Sequence, residues 1–103
     1  MSDELVVSEP EGTITVPAAT LARIAVRAAE LVEGVHVRRP RRNVDVEIAG
    51  GSANVSLQLA ARYGVVLPDL AEAVQEEVRR ALERMCAVEV RRVDVAIEEL
   101  VER

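Results

Sequence analysis

Apolar positions change their spacing repeatedly along this chain, and each change marks an element. Thr13-Ile14-Thr15-Val16 is β-branched throughout and reads as a short strand. Pro17 follows it, suited to the first turn of a helix, where its missing N–H leaves no bond unmade. Leu21, Ile24, Ala25, Ala28, Leu31 and Val32 then recur at helical spacing, with Arg23, Arg27 and Glu30 off the stripe. Gly34 closes that helix, as glycine in a left-handed cap commonly does.

The spacing next falls to two. Val44, Val46 and Ile48 alternate with Asp45 and Glu47, and Val55, Leu57 and Leu59 alternate with Asn54, Ser56 and Gln58. Gly50-Gly51 between them supplies the positive φ that a two-residue hairpin turn needs. That turn sets Ile48 opposite Ala53, Val46 opposite Val55 and Val44 opposite Leu57. A slip of one residue would put Val46 against Ser56 and spoil the apolar face.

Pro68-Asp69 opens a second helix with Leu70, Val74, Val78, Ala81, Leu82 and Met85 as its buried stripe. Asp69 and Glu72 near its start and Arg79, Arg80 and Arg84 toward its end suit the helix dipole. The last strand runs from Val88 to about Leu100. Its apolar phase moves from even (Val88, Val90) to odd (Val93, Val95, Ile97), which a bulge at Arg91-Arg92 would absorb. The chain therefore predicts an α+β domain, a two-layer β-α-β-β-α-β fold with a mainly antiparallel sheet and two helices on one face. The last strand is expected at an edge of the sheet, where it would favour self-association.

Composition narrows the chemistry. The 103 residues suffice for one domain. Residues 1–10 carry Asp3, Glu4 and Glu9 and read as a mobile acidic tail, with the domain in residues 11–103. Trp and Phe are absent and Tyr63 is the one tyrosine, so the core must be aliphatic. One cysteine, Cys86, excludes an internal disulfide, and one histidine, His36, leaves no ligand set for a Cys/His zinc site. No catalytic, cofactor-binding or metal-binding residues are assigned. No signal peptide and no apolar run of about 18 residues is present, so the chain is read as cytoplasmic with no membrane span of its own.

Four stretches resemble the alkaline shock protein family of bacteria, the envelope stress response group. They are Gly12-Thr13-Ile14-Thr15-Val16; Glu33-Gly34-Val35; Tyr63-Gly64-Val65-Val66-Leu67-Pro68-Asp69-Leu70-Ala71 with Val74-Gln75-Glu76-Glu77-Val78; and Val90 with Val93-Asp94-Val95. The Tyr-Gly…Pro…Val-Gln phrase is the most specific. Cys86-Ala87 stands where the family usually has Thr-Gly after the second helix, which suggests a different turn there. The resemblance implies a non-enzymatic envelope or alkaline stress-response protein, acting as a protein-interaction or scaffold domain. It also implies recruitment to the inner face of the membrane by a small anchored protein; homo-oligomers, expected from the edge strand, or family paralogues are the other expected partners.

The residues most open to a partner are Arg38, Arg39, Arg41 and Arg42. Pro40 is expected to keep that segment extended, so the guanidinium groups could meet an anion, a lipid headgroup or an acidic partner. The alternative use is nucleic-acid binding by the Arg38–Arg42 loop. A net charge of -5 and a single aromatic residue weigh against it. Cys86 reads as a small buried hydrophobe, and Tyr63 as a side chain packed at the bend between strand and helix.

Overall fold

The computed structural model describes residues 4–102. The chain forms β1 (Glu4–Glu9), β2 (Gly12–Pro17), α1 (Ala18–Glu30), β3 (Val35–His36), α2 (Pro40–Asn43), β4 (Val44–Ala49), β5 (Ser52–Arg62), α3 (Leu67–Cys86) and β6 (Glu89–Val101).

β5 is the spine of the main sheet. β4 pairs antiparallel with its first half in the expected register: Ile48 opposite Ala53, Val46 opposite Val55, Val44 opposite Leu57. Gly50 in the turn has φ +63°, the left-handed conformation a side chain disfavours. β3 pairs antiparallel farther along, Val35 opposite Ala61 and His36 opposite Ala60. β6 lies parallel to β5 over its whole length, so β3 and β4 share the other edge. The parallel partner requires a crossover, and α3 supplies it.

β6 carries the expected bulge. Ala53 pairs with Val90 and Asn54 with Arg92, leaving Arg91 unmatched, so the phase of the apolar residues changes there. A second register shift falls at Glu98, beyond the expected one; Leu59 pairs with Ile97 and Ala60 with Glu99.

α1 and α3 pack together on one face of this sheet. Leu21, Ala25 and Ala29 of α1, Val74, Val78 and Leu82 of α3, and Ile48, Val55 and Leu57 of the sheet are fully buried between the layers. The other face presents Asp45, Glu47, Ser56, Gln58 and Asp94 to solvent. The fold class read from the sequence therefore holds. Two stripe positions do not: Leu31 is 76% and Met85 66% exposed. Leu31 is the C-cap of α1 and keeps a right-handed helical conformation (φ -71°, ψ -22°), at the edge of the stripe that Leu21, Ala25 and Ala28 centre.

The N-terminal segment differs most from its reading. Residues 1–3 of the expected tail lie outside the described residues, and residues 4–9 are not tail but strand β1. Glu4 pairs with Pro17, Val7 with Ile14 and Glu9 with Gly12. β2, expected in the main sheet, pairs with β1 instead in a separate two-stranded ribbon. The turn Glu9-Pro10-Glu11-Gly12 has proline at its second place and glycine at its fourth, with φ +145° at Gly12. Leu5 is 1% exposed and joins the main core, fixing the base of the ribbon. Masked by flanking carboxylates, Leu5-Val6-Val7 is an apolar β-forming triplet.

Candidate docking groove

The basic segment after β3 is bent, not extended. Arg39 takes a left-handed conformation (φ 48°, ψ 64°) and Pro40 begins the single turn of α2. A proline suits the first position of a helical turn, and the chain reverses at Arg39, whose left-handed conformation departs from the extended one that a following proline favours. The backbone N–H of Arg42 donates to the Arg39 carbonyl at 2.8 Å. The Asn43 side-chain amide donates to the Arg38 carbonyl at 2.6 Å.

This reversal separates the four arginines. Arg38 turns toward β6, where its guanidinium meets the Glu99 carboxylate at 3.3 Å. Arg41 turns toward α1. Between α1 and α2 lies an open groove of about 600 Å³, lined by Ala19, Ala22, Arg23, Val26, Arg27, Pro40, Arg41 and Val44. Arg39 and Arg42 stand exposed on the same short turn.

α1 explains the other two arginines. Its Leu21, Ala25, Ala28 and Ala29 face the core, which leaves Arg23 and Arg27 one turn apart on the flank beside half-buried Ala22 and Val26. The apolar stripe alone sets Arg23 and Arg27 aside and gives them no role. A signal for them does exist in the chain: two like charges at i, i+4, with no acidic residue from Ala18 to Ala29 to offset them. Among the described residues, Arg23, Arg27, Arg39, Arg41 and Arg42 make no ion pair.

The groove thus has a floor of methyl groups and a rim of guanidinium groups. Guanidinium forks bind carboxylates and phosphates in bidentate fashion, and the floor accepts aliphatic side chains. The groove is open to solvent, and the arrangement suits an elongated acidic segment with apolar residues.

The remaining singled-out residues lie elsewhere. His36 is exposed on β3, level with Ala60. Cys86 ends α3, just before Glu89, which is level with Ser52. The histidine and the cysteine therefore stand near opposite ends of β5, roughly 25 Å of strand apart, too far to act as a pair. Burial pushes the Cys86 thiol above its ordinary pKa. Tyr63, expected to pack at the bend, is 66% exposed; its N–H donates to the Val101 carbonyl, which ties the ends of β5 and β6. Glu76 and Glu77 both pair with Arg80 on the outer face of α3. No group of three His, Cys, Asp or Glu that could hold a metal ion occurs among the described residues. No helix there is long and apolar enough to cross a membrane.

Among solved structures the fold is similar to that of the MamM CTD. A double variant of that protein superposes with a TM-score of 0.56 at 20% identity, covering 79% of this chain and 92% of that one. A cadmium form gives 0.55 at 20% identity, covering 79% and 94%. Another double variant gives 0.55 at 19%, covering 82% and 95%. At such identity the likeness concerns the fold alone. No curated protein matches the chain in sequence. The model of the alkaline shock protein family, described as having a cell envelope-related function, matches residues 36–102. That span contains the Tyr63–Ala71 and Val74–Val78 phrases, while Gly12–Val16 and Glu33–Val35 lie outside it or at its border. The match covers well over half of the sequence and bears out the resemblance: the chain belongs to the alkaline shock protein family.

Proposed function

We propose that this protein is a non-enzymatic docking domain of the cell envelope. It holds an acidic, partly apolar protein segment in the groove between α1 and α2, and it resides at the inner face of the membrane through a membrane-anchored partner. The observation that carries this reading is the convergence of Arg23, Arg27 and Arg41, from two separate elements, on one apolar floor without ion-pair partners among the described residues. Arg39 and Arg42 extend the rim, whereas Arg38 is engaged with Glu99. The envelope-related description of the family supports the cellular setting. The groove offers no aromatic platform for bases; Tyr63, the one aromatic residue, stands beyond the end of β5, which disfavours nucleic acid as the occupant.

Two measurements test the proposal. Binding of a labelled acidic amphipathic peptide should be salt-sensitive and should weaken at least about tenfold in the Arg23→Glu/Arg27→Glu variant. Equal binding by that variant, or a preference for a single-stranded oligonucleotide, overturns the docking reading. In cells, the protein should enter the membrane fraction only when its anchored partner is co-expressed. Equal recovery in the membrane fraction with and without that partner removes the recruitment step.

A further inference from the structure

The β1–β2 ribbon and the α1–α2 groove have complementary surfaces, although they belong to one chain. Strand alternation places Leu5, Val7 and Glu9 of β1 on the same face as Ile14 and Val16 of β2. At the base of that face Leu5 is buried in the core; toward the tip Ile14 is 53% exposed, and Glu9 and Glu11 stand exposed beside it. Neither Glu9 nor Glu11 makes an ion pair among the described residues. The ribbon tip is thus apolar and acidic, and the groove is apolar and basic.

The ribbon is also an arm. The molecule measures 50 × 22 × 17 Å with a radius of gyration of 14.2 Å, above the roughly 13 Å of a compact chain this long. β1 and β2 pair only with each other among the described residues. A lone two-stranded hairpin is marginal in water, so an arm of this kind gains from a surface to lie on. β2 runs directly into α1, so arm and groove start from the same end of one helix.

We infer that the occupant of the groove is the arm of a second copy of this chain, each arm lying in the other's groove about a two-fold axis. Such an interface is self-complementary and closes at two copies. Glu9 and Glu11 meet Arg23, Arg27 and Arg41, and Ile14 covers Ala22 and Val26. The inference rests on the docking reading above and names its partner. The edge of β6 is the weaker competitor. It is interrupted by bulges at Arg91 and Glu98, and α3 side chains donate to two of its carbonyls.

The test is sedimentation equilibrium of the full chain at low and high salt. The wild-type chain should dimerise, less so at high salt. Glu9→Arg/Glu11→Arg should weaken the dimer at least about tenfold, and so should Arg23→Glu/Arg27→Glu. An equimolar mixture of the two variants should restore association, because in the mixed dimer each arm meets a groove of opposite charge. All four sites are exposed, and unchanged thermal unfolding of each variant verifies the fold. A wild-type chain that stays monomeric at every concentration overturns the inference, as does a dimer indifferent to both reversals or one that the mixture fails to restore. A monomer that still binds the acidic peptide through Arg23 and Arg27 removes the arm exchange and leaves the docking reading standing. A dimer that meets all these criteria while no peptide competes for the groove removes the docking of other partners alone.

Discussion

The side-chain amide of Gln75 donates a hydrogen bond to the carbonyl of Val93, 2.9 Å away, and one helical turn later Arg79 donates to the carbonyl of Val90. Two residues of the crossover helix thus hold the start of the strand that follows it, on both sides of the bulge at Arg91. The Val-Gln phrase by which the sequence resembles its family has a physical reason here: the valines face the core and the glutamine clamps β6. Replacing Gln75 with Ala leaves a half-buried carbonyl unpaired and should cost about 1 kcal/mol of stability. Gln75→Glu should cost more, since a carboxylate oxygen would face that carbonyl. Denaturant unfolding measures both, and equal stability of all three chains would show the bond to be idle.

Ala87 occupies the left-handed position that ends α3, with φ 53° and ψ 34°, and its N–H donates to the Glu83 carbonyl at 3.1 Å. The sequence suggests a different turn because alanine stands where the resembling proteins have glycine. The turn is the usual one for a helix end, and alanine bears its steric cost. Ala87→Gly should therefore raise stability by about 0.5–1 kcal/mol, the relief of left-handed strain exceeding the added freedom of the unfolded chain. A lower melting temperature for this variant would show that the strain is absent.

Period and turn chemistry make the central fold legible. The Gly50-Gly51 turn and two alternating runs specify the β4–β5 register, and the phase change at Arg91-Arg92 locates a bulge from the sequence alone. The arm is hidden because the carboxylates around Leu5-Val6-Val7 dominate the composition, and a three-residue apolar run alone does not reveal its pairing partner. The groove is half legible. Arg41 belongs to a visible basic run, but Arg23 and Arg27 reach the same place from residues far back in the chain. Only the reversal at Arg39 brings them together, and proline after a left-handed arginine is not a pattern the sequence advertises.

Leu5 decides whether the first strand is an arm or a tail. It is 1% exposed, the one fully buried side chain of β1. Leu5→Ala should remove about 2–3 kcal/mol from the anchoring of the ribbon. Amide exchange of the paired N–H groups in β1 and β2 should then accelerate by about a hundredfold, while exchange in α3 changes little. Fast exchange of those groups already in the wild-type chain would contradict the paired strand.

Cys86 predicts a loss of stability at alkaline pH. Burial disfavours the thiolate and raises the folded-state pKa above the ordinary 9.0. The folded state thus binds this proton more tightly than the unfolded state. The stabilisation is complete below the unfolded pKa and is lost as pH rises through the folded one. Urea midpoints should fall as pH rises from the ordinary 9.0 through the folded pKa, and Cys86→Ala should flatten that part of the curve. The same burial should make the thiol slow to react with alkylating reagents in the folded chain. Rapid labelling at neutral pH without unfolding would count against it.

Arg23 and Arg27 repel one another across one turn of α1, and neither has an acidic neighbour on that helix before Glu30. A like-charged i, i+4 pair costs a few tenths of a kcal/mol in an exposed helix. That cost is offset where the two guanidinium groups meet carboxylates. Arg23→Gln keeps the helical propensity and much of the length of the side chain while removing its charge. It should raise thermal stability slightly, by about 0.2–0.5 kcal/mol at low salt, with the gain shrinking as salt is added. It should at the same time weaken capture of the acidic peptide. Opposite signs in the two measurements on one variant distinguish a charge kept for binding from one kept for structure; a fall in both would place Arg23 among the supports of the fold.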